Sequence, residues 1–277
     1  MEIAPAASNK DALRSMLFIY GSFVLAYCLQ TTVHELGHYL AGWSVGAQGG
    51  TISLHPFLNS RVTFTSVPSV SAQVAIGLMG IIADLVLATT FTLLAWRRKI
   101  GLTLPLLMWG AIAFIGEGIG MLGNIAALPH SFDDVGQLML IDISPKPLIP
   151  LSIAFVVAGL ILMSMLMPIS GVSPTSSFLK KLSAFFCGLP LYFGVAVLYL
   201  KVLHPQEVDF RDVRLKQFLI GVVLAALLAV GYQPMDRLLR RVIRTKEVSQ
   251  PKRREIMYAV GGAILAFVFL MVVHSPE

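Results

Sequence analysis

Residues 15–44 read SMLFIYGSFVLAYCLQTTVHELGHYLAGWS. From Met16 to Leu29 the run carries no charge, and its apolar character continues straight into His34. A helix needs roughly 18 or more apolar residues to cross about 30 Å of hydrocarbon, and this stretch supplies them. It is too long for a secretory signal and lacks a small-residue cleavage site, so it reads as a retained span. The chain is therefore expected to begin its fold inside a bilayer, with ionisable residues at the end of that first helix.

The rest of the chain repeats the pattern. Similar apolar stretches occupy 70–96, 101–126, 147–170, 182–203, 215–235 and 256–273, which makes seven with the first. Hydrophobic residues make up 56% of the 277 and charged ones 13%, against about 25% charged in a soluble domain. The expected fold class is an all-α polytopic membrane protein with about seven transmembrane helices. The longest connection is too short for a soluble domain of 50 residues or more. One membrane-embedded domain over 1–277 is expected, with a core at 15–140 and additional helices at 147–273.

The net charge of +6 does not point to nucleic acid. Its Lys and Arg residues fall at the N-terminus and in loops at 97–100, 171–181 and 236–255, where such residues set membrane orientation. This bias puts the N-terminus in the cytoplasm, and Arg237–Arg254 reads as a topology anchor. Cys28 and Cys187 lie within apolar spans, so neither a disulfide framework nor a cysteine metal site is expected.

Between the first two spans, Thr51-Ile52-Ser53-Leu54 and Val62-Thr63-Phe64-Thr65 alternate around Pro56 and Asn59-Ser60. Alternation bounded by turn residues predicts a β-hairpin over Thr51–Thr65. The ionisable residues are unevenly spread. The first three spans hold His34, Glu35, His38, Asp84 and Glu117, whereas the last four hold only Lys201 near an end. A charged side chain at mid-bilayer costs on the order of 2.5–3.5 kcal/mol, so intramembrane charge normally marks function. The chemistry is expected in the N-terminal half.

His34-Glu35-Leu36-Gly37-His38 places two imidazoles one helical turn apart on one face, with Glu35 beside them. Both histidines can then reach one metal ion, and the carboxylate can take a proton from a water that the metal activates. A catalytic zinc usually takes three protein ligands and keeps a fourth position open. Asp84, Glu117, His130, Asp133 and Asp134 are the candidates for the third. Residues 130–134 follow the third span on the same membrane face as the motif, while Asp84, near the middle of the second span, is expected at a different depth. Glu117 in Gly116-Glu117-Gly118-Ile119-Gly120, and Asp84 likewise, read as carboxyl groups hydrogen-bonded inside the bundle, with the glycines allowing close helix packing.

These residues resemble the site-2 protease family of intramembrane zinc metalloproteases. The likeness rests on His34-Glu35-Leu36-Gly37-His38 in a membrane helix, the following hairpin, and Asn124 with Asp134-Val135-Gly136-Gln137-Leu138 after a later span. It covers roughly residues 15–140. It implies Zn2+ as cofactor, His34 and His38 as ligands, Glu35 as the catalytic base, and Asp134 as the third ligand, three residues before Gln137. It further implies a peptidase acting in or near transmembrane segments of other membrane proteins, in the cytoplasmic membrane of a bacterium. The hairpin would then offer a strand edge to an unwound substrate. The competing class is a non-hydrolytic zinc-binding membrane protein, a pseudoprotease or a metal transporter. The intact Glu35 argues against the first of these, while intramembrane Asp84 and Glu117 leave the second open, though no paired half-helices or internal repeats support it.

Overall fold

The computed structural model describes residues 9–57, 60–97, 103–127, 134–169, 171–242 and 251–273. Helix α1 runs over Asn9–Ser44, α2 over Val70–Arg97, α3 over Thr103–Ala127 and α4 over Ile149–Ile169. These are followed by α5 at Phe178–Phe186, α6 at Leu189–Leu203, α7 at Val208–Val242 and α8 at Arg253–Val273. Between α1 and α2 lies a small antiparallel sheet of β1 (Thr51–Ser53) and β2 (Arg61–Thr63).

Within the described residues each apolar stretch of the sequence is helical, apart from a break at Cys187 and Gly188. Among the described residues, α1, α2, α4, α7 and α8 are long and apolar enough to cross a membrane, and α5 with α6 make a sixth candidate if the pair is one bent span. The corresponding apolar run in α3 is shorter, Leu107–Leu122. The bend between α5 and α6 is 51°, where the sequence pattern predicts one continuous helix. Its cause is local: Gly188 caps α6 and Pro190 stands in the first turn. A proline removes an N–H and disfavours helical geometry in the residue before it.

Helix α1 stops where its sequence tells it to. Gly46 takes a positive φ of 82°, Ala47 N–H donates to Gly42 O, and Gly46 N–H donates to Trp43 O. This is the Schellman arrangement, which only a residue without a Cβ enters at no steric cost. The chain then turns into the hairpin, whose register pairs Thr51 with Thr63, Ile52 with Val62 and Ser53 with Arg61. The Thr51 and Thr63 hydroxyls meet at 2.7 Å. Phe64, just past β2, lies over Gly42 and Gly50 and stacks on Tyr39 at 6.2 Å between centroids. The base of the hairpin is thus fastened to the helix turn that follows His38. Ser69 then caps α2, its Oγ accepting from Ala72 N–H at 3.1 Å.

The described chain divides into two compact units, one of residues 26–163 with 266–277, the other of residues 1–25 with 164–265. In the first, Ile81, Met121 and Val135 form a buried cluster with Leu85, Ile125, Leu138, Leu148 and Phe155 around it. Helix backbones approach closely: a Cβ on Gly37 would fall 2.8 Å from Met79 O, and one on Gly118 would fall 2.7 Å from Ser152 O. Of the three glycines around Glu117, only Gly118 meets a neighbour. A Cβ at Gly116 or Gly120 would touch nothing within 4 Å among the described residues. The second unit packs α5, α6 and α7 around aromatic rings, with Phe185 edge-on to Tyr232 and Tyr192 beside both Phe23 and Phe193. Helix α7 is longer than the apolar stretch 215–235, and buries Arg214 and Asp236 at its two ends.

Candidate metal centre

Helices α1 and α2 run antiparallel past each other where their small residues fall together. Gly37 of α1 faces Met79, Gly80 and Ala83 of α2. Gly80 matters most: a Cβ there would collide with His38 Nε2 and lie 2.8 Å from His34 Nε2. The two imidazoles therefore occupy the space of a missing side chain. Their rings meet edge to face with centroids 4.7 Å apart.

Each imidazole is held from behind. The Nδ1–H of His38 donates to Ile76 O at 2.7 Å, a carbonyl that can only accept. The Nδ1–H of His34 donates to Asp84 Oδ2 at 3.0 Å. With each Nδ1 directed outward, the Nε2 atoms turn inward, and these lie 3.0 Å apart. Asp134 completes the group from the segment after α3: its Oδ2 is 3.2 Å from His34 Nε2 and its Oδ1 3.6 Å from His38 Nε2. Four possible ligand atoms on three side chains thus converge on one point.

A cation between these atoms, or a proton on one Nε2, offsets the repulsion such a convergence carries. Tetrahedral zinc with ligand bonds of about 2.0–2.1 Å sets neighbouring ligands about 3.3–3.4 Å apart, close to the three separations above. Two imidazoles and a carboxylate are also a donor set zinc accepts. His34, His38 and Asp134 accordingly form a group that fits a metal ion.

Glu35 is buried but stays outside that group, as its position one residue along the helix from His34 requires. Asp84 and Glu117 both approach the back of His34, Glu117 Oε1 at 3.4 Å from Nδ1. The sequence pattern set Asp84 at a different depth from the motif, but the packing brings it level. His34 lies ten residues, about 15 Å, before the end of α1 at Ser44, at 1.5 Å per residue, so the middle of α2 passes beside it. Gln30, one turn before His34, donates from Nε2 to Asp84 Oδ2 at 2.8 Å. Sequence reasoning passed over Gln30 and the Ile76 carbonyl. Gln30 shares the face of His34 at a four-residue spacing, which is a readable signal; a backbone carbonyl leaves none. Gln137 is set against α2 where a Cβ on Gly77 would fall 2.6 Å from its Oε1. His130 and Asp133 lie outside the described residues, as does Asn59 of the hairpin turn.

Compared with protein-family models, curated proteins and solved structures, the chain finds no match.

Proposed function

We propose that the chain is an intramembrane zinc metalloendopeptidase of the site-2 protease type, acting on membrane proteins in or beside their transmembrane segments. The observation that carries this reading is the inward convergence of His34 Nε2, His38 Nε2 and the Asp134 carboxylate at 3.0–3.6 Å. When bound there, zinc supplies Lewis-acid chemistry, polarising a peptide carbonyl and bringing the pKa of a water to about 7. His34, His38 and Asp134 would hold the ion. Glu35 takes the proton of the attacking water and returns it to the leaving amine, the general acid–base role that a carboxylate beside the ligands can serve.

A substrate helix has its carbonyls tied in hydrogen bonds and must be unwound before it is cut. In β1 and β2 both strands are edge strands, and either can pair with an extended segment. The sheet's attachment to α1 through Tyr39 and Phe64 keeps it close in sequence and space to His38. The seven-span arrangement follows if α3 crosses the membrane and α5 with α6 cross as one bent span. The membrane is then the cytoplasmic membrane of a bacterium, and the partners are lipid and membrane-protein substrates.

The test is Glu35→Gln in the detergent-purified protein with a transmembrane test substrate. Zinc content should stay at wild-type level while hydrolysis falls by about 100-fold or more, the scale of a lost general base. Hydrolysis near wild type removes Glu35 from the mechanism. A wild-type protein that binds zinc but never cleaves supports the transporter or pseudoprotease class instead.

A further inference from the structure

The geometry points to Asp84 as a positioning residue that fixes His34 for metal binding through its Nδ1–H, with Gln30 fixing Asp84 in turn. This rests on the metal-centre reading above and concerns residues on the far side of the imidazole from the ion.

Asp84 is fully buried, in the middle of an apolar helix, where a carboxylate is costly to keep. One of its oxygens is used twice: Oδ2 accepts from Gln30 Nε2 at 2.8 Å and from His34 Nδ1 at 3.0 Å. The other, Oδ1, is buried with no hydrogen-bond partner among the described residues. A carboxylate left half unsatisfied at such depth is a poor device for holding helices together, because an amide or an apolar side chain would do so at less cost. It is a good device for directing an imidazole. Accepting from Nδ1–H selects the tautomer whose Nε2 bears the lone pair, fixes the ring plane and makes that nitrogen a better ligand. A positive ion bound at Nε2 also offsets the buried negative group through the ring.

Glu117 is the weaker candidate for the same role. Its Oε1 stands 3.4 Å from Nδ1, beyond good hydrogen-bond length. His34, Asp84 and Glu117 are also close enough to hold an ion of their own. That would require His34 to ligate through both nitrogens and so to lose its Nδ1 hydrogen, and the Asp84 contact at 3.0 Å is where that hydrogen is used.

The experiment measures zinc affinity by chelator competition, zinc stoichiometry, and the melting temperature of the zinc-stripped protein. The variants are Asp84→Asn, Glu117→Gln and Gln30→Met, with His34→Ala as the control. Asp84→Asn should bind zinc about 10- to 100-fold more weakly, the usual effect of losing such a contact. Its zinc-stripped form should melt no lower than wild type, since the costly buried carboxylate is gone. Glu117→Gln should stay within about threefold of wild type. Wild-type affinity in Asp84→Asn, with zinc lost in His34→Ala, overturns the positioning role and leaves the metal centre standing. So does an early-melting stripped Asp84→Asn with normal affinity, which marks a purely structural residue. Two zinc ions per wild-type chain, one of them lost in Asp84→Asn, overturns it in favour of a second metal site. Equal zinc binding by wild type and His34→Ala overturns the metal centre itself, and this inference with it. If Asp84→Asn does not accumulate, Gln30→Met decides: affinity severalfold weaker supports the chain of contacts, and unchanged affinity overturns it.

Discussion

The two compact units differ in where their buried polar groups gather. In the unit of residues 26–163 with 266–277, helix backbones come close through Gly37, Gly80 and Gly118, the space at Gly80 is filled by His34 and His38, and Asp84 and Glu117 lie beside His34. In the unit of residues 1–25 with 164–265, the space is filled by rings, Phe23, Phe185, Tyr192, Phe193 and Tyr232. Its buried Arg214 lies over Phe193 at 5.5 Å and donates to Gln217 at 2.8 Å. Close backbones at Gly37 and Gly80 let polar side chains from three helices and a following turn converge on one point, and among the described residues the aromatic unit holds no such group. Gly80 therefore marks more than flexibility here: it marks where polar groups meet.

The contrast can be broken at Gly80. Gly80→Ala puts a methyl group where the imidazoles stand, and displacement of a catalytic group by about 1 Å costs on the order of 100-fold in rate. Hydrolysis should fall by at least that much, with weakened zinc binding. Gly118→Ala makes an equally tight contact with α4 and should cost stability of about 1–3 kcal/mol by overpacking, yet keep its zinc. Zinc affinity and melting temperature measured on both variants check this. Normal zinc in Gly80→Ala, or equal zinc loss in both, would erase the distinction.

A smaller effect is expected at the hairpin. Thr63 is exposed and paired with Thr51, and proline there removes a strand N–H. Thr63→Pro should slow cleavage of a transmembrane substrate by roughly tenfold through loss of strand pairing, with zinc content unchanged. Wild-type turnover would take the hairpin out of substrate handling. The smallest effect belongs to the aromatic unit. The Tyr232 hydroxyl donates to Val172 O at 3.1 Å, so Tyr232→Phe should cost about 1 kcal/mol of stability and leave hydrolysis untouched. A thermal melt with a parallel activity assay reads both numbers, and lost activity would show that the aromatic unit shapes the site.

Much of the architecture was legible because membrane helices announce themselves by length and composition, and because Thr51–Ser53 and Arg61–Thr63 alternate as strands must. The break between α5 and α6 was also written in the chain, as Gly188-Leu189-Pro190, but a hydropathy pattern averages over it. The full reach of α7 was hidden for the opposite reason: Arg214 and Asp236 look like loop residues until a fold buries them. At the site, the shared face of His34 and His38 follows from helical spacing alone. That Asp84 stands behind His34 does not, since it depends on the register between α1 and α2, which Gly37 and Gly80 set by contact. The motif reads as the end of the first apolar run, whereas His34 and His38 stand ten and six residues before the end of α1 at Ser44.

The most direct test of the account is the zinc content and affinity of the purified wild type beside Asp134→Asn and Asp133→Asn. The convergence of Asp134 with the two imidazoles predicts about one zinc per chain in wild type and in Asp133→Asn, as expected of a three-ligand site. Asp134→Asn should bind at least about tenfold more weakly. Zinc held as tightly by Asp134→Asn as by wild type, or no zinc bound by wild type at all, would contradict it.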